Sequence, residues 1–112
     1  MSQNKKQIRA NFRKDVFERD KYTCRCCGFV ALPGRVEDTL DAHHITDRSE
    51  MPSGGYVKEN GISVCAECHK KAEKYHISEG KEWEPGFHPD ELYAKIGSSH
   101  EKAVKASEKL RL

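Results

Sequence analysis

Apolar residues recur every fourth position near the start of the chain, at Ile8, Phe12 and Val16, with Phe17 beside the last. That spacing gathers them on one face of an α-helix, so an amphipathic helix is predicted over roughly 7–20. The polar residues 1–7 read as a frayed end, and Asp20-Lys21 as the stop. The period then changes. Leu40 to Ile45 alternates as a short strand does, and Ile62-Ser63-Val64 gives a second. Phe29 to Leu32 reads as a further short strand before the Pro33-Gly34 turn. Residues 47–60 are loop-like, rich in Asp, Ser, Pro, Gly and Asn, and the Asn60-Gly61 step turns the chain into the second strand. From Ala66 to about Tyr75 the composition is helical again, with Gly80 beyond it. Asp90 is placed to cap a short helix through Ile96, and Ser98-Ser99 with Glu101 to cap a last helix over about 100–110. Trp83 and Phe87 lie in the Pro/Gly-rich stretch between and read as packing the C-terminal segment onto the core.

These elements describe a small α+β chain with little to bury. Of 112 residues, 36% are hydrophobic and 34% charged, which suits one domain over 1–112 that needs a staple. Five cysteines suggest what the staple is. No apolar stretch resembles a signal peptide and none is long enough to span a membrane, so a reducing, cytoplasmic setting is expected and the cysteines read as thiolate ligands. Cys24 and Cys27 form one Cys-x-x-Cys pair and Cys65 and Cys68 another, the spacing that lets both sulfurs of a pair reach one zinc ion. The 37 residues between the pairs, 28 through 64, must then hold something folded. The second pair falls at a helix start, where backbone amides favour thiolates. Cys26 is the spare.

Histidines supply a second layer. His43 and His44 are neighbours on a predicted strand and so point to opposite faces, which suggests that one binds a metal while the other faces a substrate. On the following helix His69, Glu73 and His76 share one stripe, where a metal could meet the strand. Asp41, two residues before His43, shares its strand face and is placed to support a ligand. Charge is uneven along the chain. Residues 1–28 carry eight Lys/Arg against three Asp/Glu, residues 29–68 three against seven, and the remainder nine against eight. The basic arm of Lys5, Lys6, Arg9, Arg13 and Lys14 suits a phosphate backbone, or is simply a solvated helix face.

In combination these residues resemble the zinc-bound HNH endonucleases. Arg19-Asp20-Lys21-Tyr22-Thr23-Cys24-Arg25-Cys26-Cys27-Gly28 resembles the family's opening, and Asp41-Ala42-His43-His44-Ile45 its first histidine block. Asn60-Gly61-Ile62-Ser63-Val64-Cys65-Ala66-Glu67-Cys68-His69 resembles its asparagine and last-histidine block. The likeness covers about 9–76 and leaves 77–112 as a C-terminal helical extension. It implies a ββα-metal, treble-clef-like core that clasps one divalent ion, with flanking helices. It also implies His44 as general base, His43 and His69 as metal ligands, and Asn60 as the residue that fixes the loop. Where many relatives place a further histidine, this chain has Glu73, a carboxylate that favours a harder ion such as Mg or Mn. His76 or water are the alternatives at that position, and Ni or Zn remain options for the ion. Arg48, just past the histidines, is a candidate for contacting the scissile phosphate, with a solvated arginine as the other reading.

The expected activity is therefore metal-dependent phosphodiester hydrolysis in DNA, with a structural zinc and a separate catalytic divalent ion. A non-catalytic zinc module that binds nucleic acid or protein is the alternative. A zinc peptidase has little support, because there is no His-Glu-x-x-His helix. No helix rich in Arg and Asn stands out, so weak base readout is expected. Small nucleases of the kind resembled often belong to phage or mobile elements.

Overall fold

The computed structural model describes residues 4–110. Helix α1, Lys5–Arg19, begins at Asn4, whose side-chain oxygen accepts the Gln7 amide at 2.8 Å. Residues 5–7, expected to fray, are thus its first turn, while 1–3 lie outside the described residues. Its apolar stripe, Ile8, Phe12, Val16 and Phe17, is buried as the spacing predicts. Asp20 ties the end of α1 to the sheet. It is 3% exposed, its Oδ2 accepts the Ser63 amide at 2.9 Å, and Arg19 and Arg25 flank it. Thr23 to Leu32 then folds into a knuckle in which the Cys24 amide donates to Phe29 O at 2.7 Å and the Gly28 amide to Cys24 O at 2.9 Å. Phe29 to Leu32 does not form the expected strand. Only the Thr23–Val30 bridge is made, because the knuckle's own backbone bonds take its edge, and Val30 and Leu32 stay 61% and 62% exposed.

After the one-turn helix α2, Val36–Thr39, strand β1 (Leu40–His44) pairs antiparallel with β2 (Gly61–Cys65), setting His43 opposite Ile62 and His44 opposite Gly61. The chain between them runs through three short 3-10 turns, Arg48–Glu50, Pro52–Gly55 and Lys58–Asn60. Asn60 closes the last of these rather than forming a turn of its own with Gly61. Helix α3, Ala66–Ile77, follows β2 directly. Helix α1 covers one face of the hairpin and α3 the other, so Ile62, Ser63 and Val64 are fully buried on both sides. Gly61 makes the α1 packing possible: a Cβ there would lie 2.5 Å from Val16 and 2.7 Å from the Phe12 ring.

Helix α4, Pro89–Lys95, is capped by His88 and not by Asp90. His88 Nδ1 accepts the Asp90 amide at 3.1 Å, and the Glu91 carboxylate accepts the His88 amide at 3.4 Å. Pro89 sets this start, since it suits the first helical position and has no N–H to lose. Helix α5, His100–Glu108, has the expected Ser99 cap and ends somewhat before residue 110. Leu92, Tyr93 and Ala103 of these two helices join Ile45, Ile62 and Val64 in one apolar cluster. Phe87 packs against the same cluster, whereas Trp83 stays 44% exposed beside Tyr75 and His88.

Candidate functional site

Two ligand clusters sit at the two ends of the hairpin. At the β2–α3 junction, Cys65 is the N-cap of α3 and Cys68 lies in its first turn, facing the knuckle that carries Cys24 and Cys27. The four sulfurs lie within 4.8 Å of one another, with Cys27 and Cys65 at 3.6 Å, and all are free thiols. A tetrahedral zinc with Zn–S of about 2.3 Å has sulfur–sulfur edges near 3.8 Å, so this spacing fits zinc. Burial raises the Cys24 thiol, but amide hydrogen bonds from Cys27, Cys65 and Cys26 prevail and bring it to about 7. Burial and the neighbouring sulfurs push Cys68 up, which is the repulsion a shared cation relieves. Cys26 does not join the cluster; burial lifts its thiol to about 11, so it is poorly nucleophilic.

The second cluster is His43, His69 and Glu73, whose ligand atoms also lie within 4.8 Å of one another. His43 is 2% exposed and faces α3; its Nε2 has no hydrogen-bond partner and its Nδ1 meets only the Glu73 carboxylate. An imidazole buried that way is costly unless something else satisfies it. Its Nδ1 stands 3.2 Å from Glu73 Oε1, the spacing of two atoms that share an ion. Contact with the His43 ring keeps the Glu73 carboxyl down at about 2, while burial drives His43 itself toward the neutral form that ligates metals. His69 Nε2 is 3.0 Å from the same carboxylate oxygen, and Asp41 Oδ2 is 3.1 Å from His69 Nδ1. Asp41 thus holds the far nitrogen of His69 and leaves Nε2 directed at the cluster. The three residues fit a divalent ion with carboxylate and imidazole donors.

His44 points the other way from the strand yet still reaches the cavity, of about 320 Å³, that His43, His69 and Glu73 line. It stacks on Phe12 at 4.4 Å and meets Tyr56 edge-on at 4.9 Å. His76 donates from Nε2 to the His44 carbonyl at 3.0 Å. His76 therefore supports the strand and does not join the ligand cluster. Burial, with Arg48 adding to it, lowers the His44 ring to about 4, so it is a free base at neutral pH. Asn60 is fully buried and spends its amide on the backbone. Oδ1 accepts the Thr46 amide at 3.0 Å, and Nδ2 donates to Thr46 O at 3.1 Å and Gly55 O at 3.3 Å. Gly55 is required for this fit: its φ is +66°, and a Cβ would lie 2.6 Å from Asn60 Nδ2.

A comparison with protein families matches residues 24–74 to the HNH endonuclease family. Residues 24–74 are similar to an HNH domain. The match runs from Cys24 to the residue after Glu73, and so takes in both clusters, His44 and Asn60. No curated protein and no solved structure matches the chain. HNH domains are generally nucleases, and the fold that carries this one is α+β with a two-stranded antiparallel sheet. Among the described residues no helix is long and apolar enough to cross a membrane.

The predicted cationic residues separate. Lys5 and Arg9 line a second cavity together with Arg48 and Tyr56. Arg13 is bound to Glu37 at 3.4 Å, and Lys6 and Lys14 are exposed on other parts of α1. Arg48 stands between the two cavities and donates from Nη1 to the Tyr56 hydroxyl at 2.8 Å. Sequence reasoning missed Phe12 and Tyr56, which cage His44, and Thr46 and Tyr93, which hold Asn60. The two that precede and follow the HNH match, Phe12 and Tyr93, carry no motif signal.

Proposed function

We propose that this HNH domain is a metal-dependent DNA endonuclease, on a chain that folds as one unit over 1–112 with 77–112 as its helical extension. The observation that carries the reading is His43, buried with its Nε2 unbonded and its Nδ1 against Glu73 at the meeting point with His69, with His44 in the same cavity. Cys24, Cys27, Cys65 and Cys68 hold structural zinc and fix α3 against the knuckle. That sets where His69 and Glu73 stand relative to β1. A divalent ion on His43, His69 and Glu73 would polarise the scissile phosphate and offset charge on the leaving oxygen. His44 takes a proton from water, and its neutral ring, gripped by Phe12 and Tyr56, is ready for that task. Asn60 positions the loop that follows β1. Arg48 offers its guanidinium to the phosphate, and Lys5, Lys6, Arg9, Arg13 and Lys14 attract the DNA backbone. Glu73 in place of a third nitrogen donor favours Mg or Mn over Ni or Zn.

Supercoiled plasmid incubated with zinc-loaded protein and each of these ions in turn is expected to be nicked or linearised. His44→Ala should abolish cutting while divalent binding persists. A protein that cuts under none of the ions, or a variant that cuts as fast, overturns the reading. One zinc per chain with no second divalent site would leave a non-catalytic zinc module.

A further inference from the structure

The cavity beside the metal cluster holds about 550 Å³ and shares Asp47 and Arg48 with the metal cavity. Lys5 and Arg9, four residues apart, rise from one stripe of α1 along its wall. Arg48 enters from the loop after β1, and Tyr56 provides the aromatic surface between them. The Tyr56 hydroxyl accepts from Arg48, and the Arg9 guanidinium lies over its ring at 5.7 Å. Among the described residues, Lys5, Arg9 and Arg48 make no ion pair, although Arg13 pairs with Glu37 and Arg19 with Asp20. The carboxylate on the wall, Asp47, is already bound to the Ser49 amide at 3.1 Å and hydroxyl at 2.5 Å. Three cations from two separate elements therefore converge on one concavity against a single carboxylate, Asp47, which stands near Arg48 without a direct ion pair and leaves a net positive wall. A scatter of solvated lysines and arginines would neither converge nor share a wall with a metal cluster.

We propose that this cavity is a phosphate subsite that takes the phosphodiester next to the scissile one on the same nucleotide strand. The strand crosses Arg48, with one phosphate at the His43–His69–Glu73 cluster and its neighbour between Lys5 and Arg9. This rests on the nuclease reading for which phosphate is scissile. The subsite fixes the path of the strand through backbone charge alone and reads no base.

The test is titration of the zinc-loaded protein, in Mg, with thymidine 3′,5′-bisphosphate and with each thymidine monophosphate, followed by amide NMR shifts. The bisphosphate carries two phosphates one nucleotide apart. It is expected to bind about tenfold more tightly than either monophosphate, the worth of one charge-assisted contact, and to move the Lys5, Arg9 and Tyr56 amides. Both α1 cations are exposed, so Lys5→Gln/Arg9→Gln should fold normally and lose that advantage. Lys102→Gln, an exposed cation on α5 that lines neither cavity, should keep it. Equal affinity for mono- and bisphosphate, an advantage that survives in the double variant, or no binding of either ligand overturns the subsite. Coupling without plasmid cleavage would sink the nuclease reading alone, and cleavage without coupling would sink the subsite alone.

Discussion

The Tyr93 hydroxyl donates to Asn60 Oδ1 at 2.7 Å in the protein interior. Tyr93 belongs to α4, beyond the HNH match, while Asn60 is the asparagine within it. The same hydroxyl lies 2.6 Å from Thr46 Oγ1, and Asn60 Oδ1 also accepts the Thr46 amide. One phenol thus joins the end of β1 to the start of β2. Nearby, Ser98 Oγ donates to Glu59 O at 2.8 Å, and Arg25 of the cysteine knuckle donates to Lys95 O. The C-terminal helices are therefore fastened to the loop between β1 and β2, and removing them would strip polar partners from a buried asparagine.

Tyr93→Phe keeps the ring and its packing but removes the hydroxyl. Asn60 and Thr46 then lack a buried partner, at a cost of about 1–3 kcal/mol in denaturant unfolding. If Asn60 positions His44, kcat should also fall by about ten- to a hundredfold with little change in KM. A variant as active as the parent would show that Asn60 holds its place without α4.

The carboxylate that supports His69 can be tested apart from the ligands. Asp41→Asn leaves the shape unchanged but weakens the acceptor at 3.1 Å from His69 Nδ1. Affinity for Mn, read by calorimetry, should drop by about 10- to 100-fold, with zinc content unchanged. Glu73→His should shift preference from Mg and Mn toward Ni and Zn, because it trades a hard donor for imidazole. Unchanged ion preference would place Glu73 outside the coordination sphere.

Local patterns were readable wherever a local cause produced them. The i, i+4 stripe of α1, the paired cysteines and the extended run of β1 all arise within a few residues, and the structure has each of them. The three 3-10 turns were not readable. Their composition suits many turns, and they are set by what they reach, such as Asn60 bonding to Gly55 and Thr46. Phe29 to Leu32 reads as a strand because it is apolar, but its backbone pairs only with Tyr22 to Cys24 inside the knuckle, through the single Thr23–Val30 bridge. His88 as a cap was hidden by Asp90, the commoner capping residue. Of the site, the residue types and their order were legible. The cage around His44 was not, since Phe12 and Tyr56 come from distant segments with no shared period.

Protonation offers a direct check on His44. Burial and Arg48 lower its ring to about 4, below the ordinary histidine value of about 6.5. A depressed histidine favours the folded state above the unfolded pKa, and that contribution is lost as pH falls from about 6.5 toward 4. An NMR titration of the His44 ring in zinc-loaded protein, without added divalent ion, should therefore show it neutral at pH near 6. In Arg48→Ala the midpoint should rise, since a repelling cation is gone. A midpoint near that of a free histidine in the parent protein would contradict the buried, caged setting.

Zinc removal should separate scaffold from site. The apolar cluster is small, and two of the four sulfur ligands, Cys24 and Cys68, belong to it. Chelation should therefore loosen the knuckle and the start of α3 together, with loss of the cooperative thermal transition. Cys24→Ser and Cys68→Ser should do the same, as each leaves a site of three thiolates around a buried position. Cys26 supplies the internal control. It packs against the core and its thiol is raised to about 11, so the zinc-loaded protein should resist alkylation at all five cysteines near pH 7.5. After chelation, mass spectrometry should find Cys26 modified along with the four ligands. Rapid alkylation of Cys26 before chelation would mean that the knuckle opens while zinc is bound. The α3 register would then depend on the 2.9 Å bond between Asp20 and the Ser63 amide more than on the metal.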